Sequence, residues 1–119
     1  PLILPVLLRQ ILTGCSEGRL WVGEWDGWGD RKRPAGSRPL TVPGRRYHVT
    51  ATSPRELLTG LDPDRLPDVV WDEAGTFIIL ADIDLPSTVV GCREGITEGL
   101  LRNPNLEAVR VDGGASIVT

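Results

Sequence analysis

Asp82 and Asp84 are the side chains whose type and spacing come nearest to chemistry. Residues two apart in an extended segment project to one side, so both carboxylates face together while Ile83 and Leu85 point away. Such a pair can hold a hard divalent cation, with Ser87, Thr88 and water completing an oxygen shell. The same residues also suit a turn, because an Asp side chain near Pro or Ser bonds its own backbone. The sequence has no glycine-rich phosphate loop, no nucleophile elbow and no zinc-type Cys and His spacing. Turn capping is therefore favoured, and neither a metal nor a cofactor is expected. His48 is the single histidine. Without a partnered Cys, Ser or second His in a recognisable frame, it reads as a structural hydrogen-bonder before a general base.

Trp21, Trp25 and Trp28 fall close together, and Arg31, Lys32, Arg33, Arg38, Arg45 and Arg46 follow. On a strand, Trp21 and Trp25 share one face and suit a core, whereas Trp28 stands between glycines and suits a partly exposed binding position. Aromatics beside arginines can stack bases and hold phosphates. The formal net charge of -3 argues against nucleic acid. Its distribution is uneven: residues 1 to 60 carry nine basic and five acidic side chains, residues 61 to 119 four and eleven. The simplest account is that the two halves neutralise each other in the fold. The candidate binding residues are thus Trp25, Trp28, Arg31, Arg33, Arg45, His48, Asp82, Asp84, Ser87 and Thr88.

The elements that position these residues can be read from periodicity. Pro5 suits the first turn of a helix running through Val6 to Leu12, apolar on nearly all sides and so expected to be buried or to meet a second copy. It is too short to span a bilayer and has Arg9 within it. Leu20 to Trp25 reads as a strand, Asp26 to Pro39 as a long loop, Thr41-Val42 as a short strand and Arg45 to Ala51 as a half-buried one. Ser53-Pro54-Arg55-Glu56 is a helix start, with Gly60 near its end. Val69 to Trp71 and Phe77 to Ala81 form a hairpin about Glu73 to Thr76. The continuous apolar character of Phe77 to Ala81 predicts a central strand covered on both faces. Arg93 to Arg102 is an amphipathic helix stopped by Asn103-Pro104, and Leu106 to Val111 alternates as a last strand, with Ser116 to Thr119 a final extension.

The order implies one α+β domain over residues 1–119, with a mainly antiparallel sheet of about five strands and helices on one face. Length supports a single core. Cys15 and Cys92 are too few for a disulfide framework and fit a reducing cytoplasm. The absent initiator Met implies that residue 1 is not the natural start.

Several blocks together resemble a family. Arg19 and Trp21, Trp25-Asp26-Gly27-Trp28-Gly29, Pro43-Gly44-Arg45-Arg46-Tyr47-His48, Trp71, Ala81-Asp82-Ile83-Asp84-Leu85, Ser87-Thr88-Val89-Val90-Gly91, Leu100-Leu101, Pro104 and Leu106-Glu107-Ala108 with Val111 are similar in order and spacing to a set of small actinobacterial proteins of unknown function. The resemblance spans about Arg19 to Asp112. It implies a cytoplasmic domain of a high-GC bacterium and no particular activity. Those proteins carry cysteines flanking the first Trp and a third acid before the Ser-Thr pair. Leu20, Gly23 and Pro86 stand there in this chain, which weakens a metal-binding reading.

The expectation is a non-catalytic interaction domain, of the kind an immunity protein or antitoxin uses to hold another protein. A second copy, met through Pro5 to Leu12, is a further expected partner, and no membrane is. The alternative is a metal-dependent enzyme acting on a phosphorylated or glycosyl substrate, with Asp82 and Asp84 as ligands and His48 as base.

Overall fold

The computed structural model describes residues 3–13, 18–27, 35–81 and 87–111. Along the chain come α1 (Ile3–Thr13), β1 (Leu20–Trp25), β2 (Arg38–Val42), β3 (Arg45–Thr52), α2 (Pro54–Thr59), β4 (Val69–Asp72), β5 (Phe77–Leu80), β6 (Val89–Cys92) and α3 (Glu94–Arg102). The strands make one sheet in the order β2-β3-β1-β4-β5-β6, and every neighbouring pair is antiparallel. The fold is α+β, as the sequence predicts, with six strands where about five are read from periodicity.

Local chemistry explains the elements. In α1 the buried Leu4, Leu7, Leu8, Ile11 and Leu12 recur at helical spacing, so one stripe faces the sheet. Ser53 caps α2 by accepting from the Glu56 amide at 3.2 Å, Pro54 needs no donor at the first position, and the Gly60 amide closes on the Glu56 carbonyl at 3.0 Å. Pro43 and Gly44 turn β2 into β3, with Gly44 at φ 79 in the left-handed region a glycine enters without strain. At the β4–β5 turn the Asp72 carboxylate accepts from the Thr76 amide at 2.7 Å, the Phe77 amide at 3.2 Å and the Thr76 hydroxyl. Burial raises the Asp72 carboxyl's pKa, and these bonds outweigh it and hold the group below its ordinary value.

Four expectations are corrected. The stretch read as loop to Pro39 ends earlier, because β2 begins at Arg38 and pairs Arg38 with Val49. Leu106 to Val111 forms no strand; it follows α3 as irregular chain, where Arg110 donates to Glu94 across 16 residues. Val89 to Cys92, given no element in the sequence reading, supply edge strand β6. β5 lies between β4 and β6, next to an edge, and β1 and β4 hold the centre.

The last correction matters most. α1, α2 and α3 all pack on one face, where Leu8, Leu20, Val70, Phe77, Ile79 and Leu100 form the main core. Ile79 is fully buried there, whereas its neighbour Ile78 on the opposite face is 41% exposed. One face of the sheet is covered; among the described residues nothing lies over the other. A sheet with one wet face ordinarily alternates apolar and polar residues along each strand, and Phe77-Ile78-Ile79-Leu80 does not alternate.

Candidate functional site

Strand alternation and register place Trp21, Gly23 and Trp25 of β1, Leu40 and Val42 of β2, Tyr47 and Val49 of β3, Val69 and Trp71 of β4, and Ile78 and Leu80 of β5 on the uncovered face. Tyr47, Val49 and Val69 bury one another there with Trp21, Trp25, Trp71 and Leu80 packed around them. Beside this cluster runs a groove of ≈ 820 Å³, bounded by Leu40 and Val42 on one side and Ile78, Gly91 and Arg93 on the other. Those residues come from opposite ends of the sheet. A flat six-stranded sheet separates its edges by about 24 Å, so a single groove touching both means that the sheet curls around this face.

Two glycines make room for the curl. A Cβ on Gly23 would lie 2.5 Å from Val69 Cγ1, and one on Gly91 would lie 3.1 Å from Ile78 Cγ2. Side chains of adjacent strands thus fold over bare backbone, which is what an interior strand glycine permits.

Charge around the groove is mixed: Asp72 and Arg93 both line it, and Glu73 stands beside Arg19 at the sheet's end. By alternation Arg38 and Arg45 also belong to the uncovered face. The Arg45 guanidinium stacks over the Trp25 ring at 4.4 Å and that of Arg19 over Trp21 at 5.7 Å. Of the sequence-derived candidates, Trp25 and Arg45 are therefore brought together here. Trp28, Arg31 and Arg33 lie outside the described residues, as do Asp82 and Asp84. Ser87 is exposed and Thr88 half-buried just before β6.

His48 belongs to the other face. It is buried, and its Nε2 meets the Asp26 carboxylate, while its cross-strand neighbour Glu24 takes a bidentate pair from Arg65 at 2.8 and 2.9 Å. That contact holds the Arg65 guanidinium above its ordinary pKa. Asp68, also buried, accepts from the Trp25 amide at 2.7 Å and carries the β1 ladder past its last pairing with β4. These acids are structural bonding groups of the covered face. Among the described residues no group of three or more His, Cys, Asp or Glu side chains is placed to hold a metal, and no helix is long and apolar enough to cross a membrane.

Sequence reasoning missed the groove itself. Leu40, Val42, Trp71, Ile78 and Leu80 look like core residues, and one signal was available: β3 alternates with Tyr47 and Val49 on one side and His48 and Thr50 on the other. The apolar side of that strand was the natural choice for the face under the helices. In the fold the polar side is under cover instead, with His48 bonded to Asp26 and its neighbour Glu24 to Arg65. No protein-family model, no curated protein and no solved structure matches the chain.

Proposed function

We propose that this chain is a cytoplasmic, non-catalytic interaction domain that holds another protein on the uncovered face of its sheet. The observation that supports this is the apolar strand face with no cover among the described residues: Leu40, Val42 and Ile78 are 38%, 37% and 41% exposed around a groove floored by Trp71 and Val69. Contiguous apolar surface of this kind marks interaction sites far more often than it is left bare. The α1 helix is a weaker candidate for a partner, because five of its apolar side chains already lie in the chain's own core.

A photo-reactive phenylalanine analogue at Ile78, compared with one at Glu98 on α3, tests the reading. In lysate of the source organism the Ile78 probe should capture a discrete protein that the Glu98 probe does not. The purified partner should then bind the parent chain and lose affinity for Leu40→Lys, a variant with unchanged thermal midpoint. Equal capture at both positions, or undiminished binding by Leu40→Lys, refutes it.

A further inference from the structure

Resting on that reading of the uncovered face, we propose that the partner enters it through an extended segment that adds to β6 as a further antiparallel strand and sets a large apolar side chain opposite Gly91. The direction of the main-chain groups leads there. The Arg93 amide donates to the Thr76 carbonyl at 3.2 Å, Gly91 pairs with Ile78 and Val89 with Leu80. Groups that point toward one neighbour alternate along an antiparallel strand, so Val90 and Cys92 turn their amides and carbonyls away from β5. β6 ends the sheet, and among the described residues no strand lies beyond it. An extended segment supplies donors and acceptors at that spacing, whereas a helix has already spent its own.

The other end of the sheet is built differently. The Asp26 amide donates to the Arg46 carbonyl, so Arg45, Tyr47 and Val49 of β3 face β2, and their partners Val42, Leu40 and Arg38 face back. That leaves Pro39 and Thr41 pointing outward, and Pro39 has no amide to offer. A proline on an edge hinders strand addition; Val-Val-Gly-Cys of β6 has neither a proline nor a charge. The groove adds the second requirement. It reaches β6 at Gly91 and Arg93, Gly91 is exposed, and Ile78 Cγ2 lies 3.1 Å from where a Gly91 Cβ would stand. A residue opposite Gly91 falls in the non-hydrogen-bonded position of the new pair, where facing side chains come closest, and it projects on the uncovered face with Ile78. An aromatic ring there closes over the bare glycine and covers Ile78. β6 of a second copy, paired about its own Gly91, would put a glycine in that position and leave Ile78 open.

The probe is a short blocked peptide with phenylalanine at its centre, a threonine on each side of it and a valine beyond each threonine, and binding is followed by amide and methyl chemical shifts of the folded chain. The peptide should bind saturably, shift the Val90, Gly91 and Cys92 amides and the Ile78 methyls, and slow solvent exchange of the Val90 and Cys92 amides, which should be fast in the chain alone. Methylating the two threonine amides, which would face β6, should weaken binding at least about tenfold, whereas methylating the phenylalanine amide, which would face away, should leave it unchanged. Glycine in place of phenylalanine should also weaken it at least about tenfold. Equal binding of the two methylated peptides, undiminished binding of the glycine peptide, shifts confined to α1, α2 and α3, or no shift at β6 up to millimolar peptide would each overturn the proposal. So would Val90 and Cys92 amides already protected in the chain alone: protection that grows with concentration assigns the edge to a second copy, and protection independent of concentration assigns it to the chain itself. Any of these results while the Ile78 probe still captures a protein removes only the added strand. Failure of that capture removes the interaction face itself.

Discussion

Gly23→Ala probes the curl on which the groove depends. Gly23 lies in the middle of β1, and a new Cβ would stand 2.5 Å from Val69 Cγ1, 3.5 Å from Tyr47 Cβ and 3.7 Å from Val49 Cγ2. Its φ is not positive, so the backbone accepts an L side chain and only the close approach opposes alanine. Val69 cannot yield easily, being β-branched and 4% exposed. Overpacking of this kind costs about 1–3 kcal/mol, and the lower unfolded-state freedom of alanine offsets about 0.4–1 kcal/mol of it. A net loss of roughly 1–2 kcal/mol is expected. Val69→Ala destabilises by itself but removes the offending Cγ1. In that background Gly23→Ala should become stabilising, by about 0.4–1 kcal/mol. The sign change is the decisive feature, and the coupling should be about 1–3 kcal/mol. Urea unfolding of the four proteins, followed by tryptophan fluorescence, measures it. If the two substitutions add within about 0.5 kcal/mol, the close approach of Val69 is not why position 23 is glycine.

Ile79→Asp places a carboxylate where the parent side chain is fully buried, and the variant should show no cooperative unfolding transition by circular dichroism. Asp72→Asn should lower stability at neutral pH and narrow its gap to the parent in acid. A carboxyl held below its ordinary pKa stabilises above the unfolded value of about 3.9, and loses that contribution as pH falls through the folded value; denaturant midpoints between pH 7 and 2 read the convergence. Thr50→Val should raise stability by about 1 kcal/mol, because the Thr50 hydroxyl is buried with no bonding partner among the described residues and its removal relieves that cost. An unchanged or lowered denaturant midpoint would count against it.

The fold was legible wherever a local rule acts alone. Ser53, Pro54 and Glu56 announce α2, Asn103-Pro104 stops α3, and Leu20 to Trp25 is the strand read from sequence. The Val69 to Leu80 hairpin was equally clear, since two strand runs flank a turn with Gly75 at φ 73. Strand β6 was not, because four residues containing Gly91 take their extended form from pairing with β5. Leu106 to Val111 failed in the opposite way: it alternates, but it pairs with no strand and is held through Arg110 and Glu94 instead. The groove was hidden for a deeper reason. Apolar residues on both sides of β5 imply cover on both faces, and sequence does not say whether that cover belongs to the same chain.

The net charge of -3 misleads for the same reason: it sums over faces. Glu24, Asp26, Asp68 and Asp72 are spent on bonds to Arg65, His48, the Trp25 amide and the Thr76 turn, on the covered side or at the sheet's end. Arg38 and Arg45 meanwhile lie on the uncovered side, and Arg93 shares the groove's lining with Asp72. At physiological salt, screening confines an exposed charge's influence to about 8 Å. A partner approaching the groove therefore responds to Arg93 and Asp72 in its lining, and very little to acids of the covered side such as Glu24. Overall acidity consequently gives no ground for rejecting an anionic partner. What the groove offers between Arg93 and Asp72 is apolar surface: Leu40, Val42 and Ile78 lie open with Trp71 beside them, and the Trp25 and Trp21 rings are already stacked by Arg45 and Arg19.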